Sequence, residues 1–446
     1  MAPSGTSPKP KKKRSSVRHT RAIQRDRSKR PNVAPPPEQI EQELTALIHP
    51  ATLAQLDHFH QLGLRARLLT LPVMVALVLS MLWRQIGSVQ ELVLLLGSEG
   101  FLWTSPVRVT QQALAQRLLT FPAVLFQGIL EAVLPQLHAR FAARQRPLPP
   151  VIAWARQRYS ALLVVDGSTL DALLRKVGLL RDAPTPPLAG RMTALLDLAS
   201  QLPRQLWYEP DPKASDQRAW PQILAAVPAG ALLLFDRGYT DFGMFLALTQ
   251  AQVTWITRAK ARLCFTLCQR LVDTAQVRDT LGWIGQGKAR QQVRLVEVLV
   301  GGKWYAYLTN ELDPARLPAP ELVALYRHRW RIEEAYATVK RLLGLAYFWV
   351  GSENGVQLQL WATWLLYAVL VDLTDAVAEE LQQPVAALSL EMVYRRIYYF
   401  AQAFHRGEAH DLVSYLAQNA RWLRILKPKR KPPALQWPAL SLPALS

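Results

Sequence analysis

The stretch from Tyr326 to Lys340, YRHRWRIEEAYATVK, concentrates side chains that can do chemistry. On a helix advancing about 100° per residue, Tyr326, Arg329, Glu333 and Lys340 fall within an arc of roughly 60°. A phenol, a guanidinium, a carboxylate and an ammonium on one stripe are costly to bury, and they suit a site that handles metal and phosphate. Two upstream carboxylates look made to meet that stripe. The apolar run ALLVV leads into Asp166, and ALLLF leads into Asp236, with Gly238 following to allow a tight turn.

Either aspartate alone has a plain alternative role, starting a turn or capping the next helix. Together with Glu333 the pattern points elsewhere. Parallel strands ending at one sheet edge set their terminal residues side by side, and a helix packed there would bring Glu333 to the same place. Three converging carboxylates repel one another unless a divalent cation binds between them. All-oxygen ligation favours Mg²⁺ or Mn²⁺ over zinc, and neither the scattered histidines nor Cys264 and Cys268 form a zinc pattern. Two such ions about 4 Å apart support in-line phosphoryl transfer, so the expected chemistry is phosphodiester cleavage and joining. Glu334 lies about 100° round the helix from Glu333 and leaves the stripe. Asp171, Glu209, Asp211 and Asp216 stand in polar or Pro-rich surroundings and read as loop or surface residues.

These motifs resemble the DDE transposases of bacterial insertion sequences, of the IS-four type. The family's third acid lies in a Tyr-x2-Arg-x3-Glu-x6-Lys signature, which Tyr326, Arg329, Glu333 and Lys340 match at every position. Its second acid opens an Asp-x-Gly-aromatic pattern, matched by Asp236, Gly238 and Tyr239; its first corresponds to Asp166. The resemblance implies an α/β fold: a ribonuclease-H-like catalytic core with a mostly β insertion, here at about 262–310, preceded by an all-helical N-terminal domain. It also implies that Asp166, Asp236 and Glu333 bind two Mg²⁺ or Mn²⁺ ions while Tyr326, Arg329 and Lys340 contact phosphates at an element end. Cut-and-paste transposition at terminal inverted repeats is the implied activity. The family's insertion can offer an aromatic to a flipped base, and Trp283 and Trp304 lie in the matching region, although a core tryptophan is the commoner fate. Arg258 and Lys260, at the end of a strand, are expected to touch DNA backbone.

The elements that position these groups follow from pattern. Residues 37–150 read as a helical DNA-binding or assembly domain, 151–400 as the catalytic domain, and 401–446 as a C-terminal helix with a basic, Pro-rich tail. Within the first, Thr110 caps a small amphipathic helix ending near Phe121 that has the look of a groove-reading helix, or of an ordinary surface one. Two apolar runs, 68–83 and 357–371, read as buried helices, the first being short of the ~20 residues a bilayer needs.

The chain has 446 residues and a net charge of +20, which favours a polyanionic partner, double-stranded DNA before any membrane. Eleven basic residues against Asp26 alone give residues 1–31 a charge of +10, and Lys427, Lys429, Arg430 and Lys431 add +4. The ends thus carry most of the excess, and 1–36 reads as a disordered basic arm. Two cysteines exclude a disulfide framework, and no apolar segment opens the chain, so a cytoplasmic, nucleoid-associated location is expected. Pairing two DNA ends makes a homodimer in the DNA complex the default.

Overall fold

The computed structural model describes residues 38–86, 88–170, 190–345 and 352–428. The basic arm, Asp171 and the tail after 428 lie outside the described residues. Helices α1 (Glu38–Leu53), α2 (Leu56–Gln61), α3 (Leu71–Trp83), α4 (Val89–Ser98), α5 (Gln111–Thr120), α6 (Ala123–Ala143) and α7 (Pro150–Arg156) come first. Strands β1 (Leu162–Thr169), β2 (Arg191–Asp197) and β3 (Pro203–Glu209) follow, then α8 (Trp220–Ala226), β4 (Leu232–Phe235), α9 (Phe242–Gln250) and β5 (Thr254–Arg258). Next come β6 (Thr266–Asp273), β7 (Val277–Ile284), β8 (Gln291–Val300) and β9 (Lys303–Thr309). The chain then turns helical through α10 (Ala319–His328), α11 (Arg331–Ala337), α12 (Glu353–Glu380), α13 (Leu390–His405) and α14 (Leu412–Gln418).

Among the described residues nine strands form one mixed sheet, in the order β3-β2-β1-β4-β5-β9-β8-β7-β6. β1, β4 and β5 are parallel neighbours, and every other pairing is antiparallel. The unbroken apolar runs of β1 and β4 have a direct cause. Leu162, Val164, Leu232 and Leu234 enter the large helical core, whereas Leu163, Val165, Leu233 and Phe235 enter a second core beneath α8 and α9. A strand covered on both faces has no room for polar alternation.

The strands expected as an insertion at 262–310 are not set apart from this sheet. Ile256 of β5 pairs with Thr309 of β9, and Thr309 pairs in turn with Arg294 of β8, so the outer hairpins continue the central sheet. The hairpin between β8 and β9 turns at Gly301 and Gly302, both at positive φ, where a side chain would be strained. A fully buried ion pair joins β7 to β8: Arg294 donates to both carboxylate oxygens of Asp279 at 2.8 and 2.5 Å. Its remaining Nη1 donates to the Leu317 carbonyl at 2.6 Å, tying the outer strands to the segment that enters α10.

The helical core gathers residues from Leu44 to Ile425 around α12. Most of the run at 68–83, from Leu71 onward, is the buried helix α3, with Pro72 in its first turn, where a missing N–H does no harm. α12 is long and apolar enough to cross a membrane by length and composition, but 83% of its apolar window is buried inside the fold. Asn354 fixes its start by accepting from Ala123 N at 3.0 Å and donating to Phe121 O at 2.8 Å. Further along, Arg140 and Arg144 of the α6 end reach Asp372 at 3.0 and 2.7 Å, and Arg144 reaches Asp375 at 3.0 Å. The Thr110 side chain caps α5 by accepting from Ala113 N, as its sequence predicts.

Candidate active site

The parallel register of β1 and β4 pairs Val165 with Phe235, so the next residues, Asp166 and Asp236, leave the two strands side by side. Alternation turns Asp166 toward the face of Val164, the face that the helical core covers. Asp236 caps a short helical turn by accepting from Gly238 N at 2.6 Å, and Asp166 accepts from Gly167 N at 2.9 Å.

Glu333 reaches this edge through a neighbour that sequence reasoning passed over. The Tyr336 hydroxyl donates to the Asp166 carbonyl and accepts from Ala194 N at 3.1 Å, pinning α11 across β1 and β2. Glu333, one turn earlier, is thereby held over the strand ends. The only sequence signal for Tyr336 was its place one turn after the acid.

Tyr326, Arg329, Glu333 and Lys340 do not lie on one regular helix, contrary to the even spacing expected. α10 ends at His328; Arg329 and Trp330 tighten into turns bonded three residues back, and Thr338–Leu342 is a π-helical turn. The signature residues nonetheless meet around β1. Arg329 donates to Glu333 Oε1 at 2.8 Å and stands 3.6 Å from Asp166 Oδ2, with its guanidinium 5.6 Å from the centre of the Tyr326 ring. Lys340 donates to Ser168 Oγ at 2.8 Å and to the Thr169 carbonyl, so it is bound to the end of β1. Tyr326 is buried against Tyr307, and burial pushes its hydroxyl up to about 12. Glu334 points away, paired with Lys427 at 3.0 Å.

Burial raises the Asp166 carboxyl to about 7; Arg329 opposes the shift, and the charges of Asp236 and Glu333 add to it. Asp216, expected as a loop or surface residue, stands in a short helical turn that folds over the site. It pairs with Arg191 at the edge of β2, is partly buried, and is raised by burial and by Asp236 against the pull of Arg191. No local pattern marks it, because its place depends on a turn folding back over both strand ends. Glu209 and Asp211 do pair at the surface, with Arg218.

Arg258 ends β5 with its guanidinium 5.1 Å from the Tyr305 ring and a buried Nε that lacks a partner; Lys260 is exposed in the loop beyond. Trp283 and Trp304 lie under Arg290 and Arg278, at 4.7 and 4.4 Å, away from the two strand ends in sequence and on outer strands. Trp330, 63% exposed beside Arg329, is an aromatic that sequence reasoning did not single out.

A model of the family described as "Transposase DDE domain" matches residues 189–369. This stretch is similar to the transposase DDE domain. The match takes in Asp236 and the whole signature from Tyr326 to Lys340, while Asp166 precedes it. "Putative transposase y4zB" of Sinorhizobium fredii is 30% identical over 158 residues, covering 32% of this chain and 43% of the relative. "Transposase InsG for insertion sequence element IS4" of Escherichia coli K12 is 26% identical over 168 residues, covering 35% and 37%. The chain therefore spans less than half the length of these relatives. The structure of a piggyBac transposase synaptic complex with hairpin DNA aligns over 87% of this chain and 84% of its own, at 11% identity and a TM-score of 0.34.

That similarity implies a divalent metal, and the carboxylates at the strand ends can be tested for it. Among the described residues no three His, Cys, Asp or Glu side chains are grouped closely enough to hold an ion as they stand. The Arg329 guanidinium is a cation already lying between Asp166 and Glu333. Glu333 Oε2 is buried without any partner, an acceptor that a cation would satisfy. All the donors are carboxylate oxygens, the chemistry hard divalent ions select. The donor chemistry fits such an ion, and Arg329 now stands between Asp166 and Glu333 where the ion's charge would be needed.

Proposed function

We propose that the protein is a DNA transposase that cleaves and joins DNA at the terminal inverted repeats of an insertion sequence. The observation that carries this reading is the β1–β4 register, which sets Asp166 and Asp236 side by side under a helix bearing Glu333. The strand order β3-β2-β1-β4-β5, with the first three antiparallel and the last three parallel, supports a ribonuclease-H-like core spanning roughly 151–400. The helices of 37–150 are then a DNA-binding or assembly region, and 1–36 and 401–446 carry basic extensions.

Asp166, Asp236 and Glu333 would hold two Mg²⁺ or Mn²⁺ ions. When bound, such ions activate a water or 3′-hydroxyl and stabilise the leaving oxygen. The chain's own residues supply position and charge. Arg329 can exchange its carboxylate partners for a DNA phosphate, which it contacts as a planar fork. Lys340 and Tyr326 flank that phosphate, and Arg258 and Lys260 extend the basic edge along the backbone. A homodimer on paired ends follows from the need to hold two ends at once.

The test is cleavage of a duplex carrying the element's inverted repeat in Mg²⁺. We expect cutting at the repeat end by the parent protein and none by Asp166→Ala, Asp236→Ala or Glu333→Ala. Tight binding without cutting by the parent would point to a binding protein, and cutting indifferent to sequence would point to a general nuclease.

A further inference from the structure

Asp216 occupies a position that the three-acid site leaves unexplained. Its carboxylate lies across the backbone that follows both strand-end acids. A Cβ added at Gly167, the residue after Asp166, would fall 2.4 Å from Asp216 Oδ1 and 2.8 Å from Arg191 Nη2. A Cβ at Gly238, two after Asp236, would fall 2.8 Å from Asp216 Oδ2 and 2.7 Å from Asp236 Oδ1. Neither glycine has a positive φ, so neither is needed for its backbone; both leave space for one carboxylate.

The turn that bears this carboxylate is fastened in place, and Arg191 pairs with the carboxylate itself. Gln217 Nε2 donates to the Thr240 carbonyl at 2.6 Å and Trp220 Nε1 to the Tyr239 carbonyl at 3.1 Å, fastening the turn that bears Asp216 onto the loop after Asp236. Arg191, which pairs with Thr169 at the far end of β1, donates to Asp216 Oδ1. The Tyr239 hydroxyl, fully buried and bonded to the Thr193 side chain, lies at the same spot, 3.3 Å from the position of a Gly167 Cβ.

We propose that Asp216, held by Arg191, is a fourth acidic member of the site: a positioning residue that fixes Asp166 and Asp236 relative to each other and strengthens binding of a divalent cation between them. This rests on the proposed function. Arg191 keeps the carboxylate aimed, and Asp216 Oδ2 lies beside the Gly238 position that Asp236 Oδ1 also borders. Partners of this kind, one step removed from the ion, typically change metal affinity by about 10–100-fold.

The experiment is Mn²⁺ binding to the full-length protein, followed by electron paramagnetic resonance or calorimetry, with thermal melts in EDTA alongside. Asp216→Asn keeps the shape and removes the charge. We expect Mn²⁺ binding weaker by about 10-fold or more, with the melt in EDTA unchanged or raised. Gly167→Ala keeps every carboxylate and touches neither Asp166 nor Asp236, but pushes Asp216 and Arg191 from their seats, and the same loss is expected. Wild-type affinity in both variants, while Asp236→Asn loses the ion, would overturn the role of Asp216 and leave the proposed function standing. Failure of the wild-type protein itself to take up Mn²⁺ would overturn both. A purely structural Asp216 would lower the melt in EDTA and leave the affinity of the folded fraction unchanged, which also counts against the proposal.

Discussion

Arg329 donates to Glu333 at 2.8 Å while its other Nη stands 3.6 Å from Asp166, so one guanidinium serves carboxylates from a helix and a strand that are otherwise separate. The pairing is only 11% exposed on the arginine side, and water does little to replace it. In the metal-free protein Arg329 is the nearest counter-charge to two acids.

Replacing Arg329 with Gln should therefore lower stability in EDTA, by about 1–3 kcal/mol as for a hydrogen-bonded charge losing its partner. Added Mn²⁺ should raise the melting temperature of the variant more than that of the parent, because the ion no longer competes with the guanidinium. Equal shifts in the two proteins would show that Arg329 and the cation do not share carboxylates.

Asp166 gives a pH dependence of a particular sign. Its carboxyl sits at about 7 in the folded protein, raised by burial from an ordinary value of 3.8. Between those values the folded state keeps a proton that the unfolded chain has released. Stability from this group is then fully present at low pH and is lost as pH rises through about 7. In EDTA, melts from pH 4 to 8 should show this decline, and Asp166→Asn should flatten it.

Tyr336→Phe should cost about 1–3 kcal/mol, since the buried hydroxyl both accepts from Ala194 N and donates to the Asp166 carbonyl. Denaturant melts measure that cost. Cleavage should fall as well, because the same clip sets the height of Glu333 above β1. Full activity in a destabilised variant would separate the clip from the acid.

Arg294→Met should be among the most damaging single changes outside the site. It leaves Asp279 buried and unpaired, with a cost of about 3–5 kcal/mol. The double variant Arg294→Met with Asp279→Leu should recover most of that loss. A double variant as unstable as the single one would mean that the Leu317 carbonyl contact, rather than the ion pair, holds the outer strands.

The strand-end positions of Asp166 and Asp236 were legible because each ends a run whose apolarity has one physical cause, burial on both faces of the sheet. Glu333 was legible through the spacing of its signature. The shape of that segment was not. Arg327 to Glu334 contains no proline or glycine to announce a break, and its change from tight to wide turns comes from docking on β1 through Tyr336 and Lys340. Asp216 was hidden for a related reason: nothing in DPKASDQRAW tells of the two glycines, far off in sequence, that make room for it. The outer strands were read correctly as strands and their turn as Gly301-Gly302, but long-range pairing with β5 has no local signature.

That pairing makes the outer hairpins part of one frame rather than a flap. Thr309 is bonded on both sides, to Ile256 and to Arg294, and Arg294 is anchored again at Leu317. β9 thus carries the outer strands into the same hydrogen-bonded ladder as β5, whose other neighbour, β4, leads into Asp236.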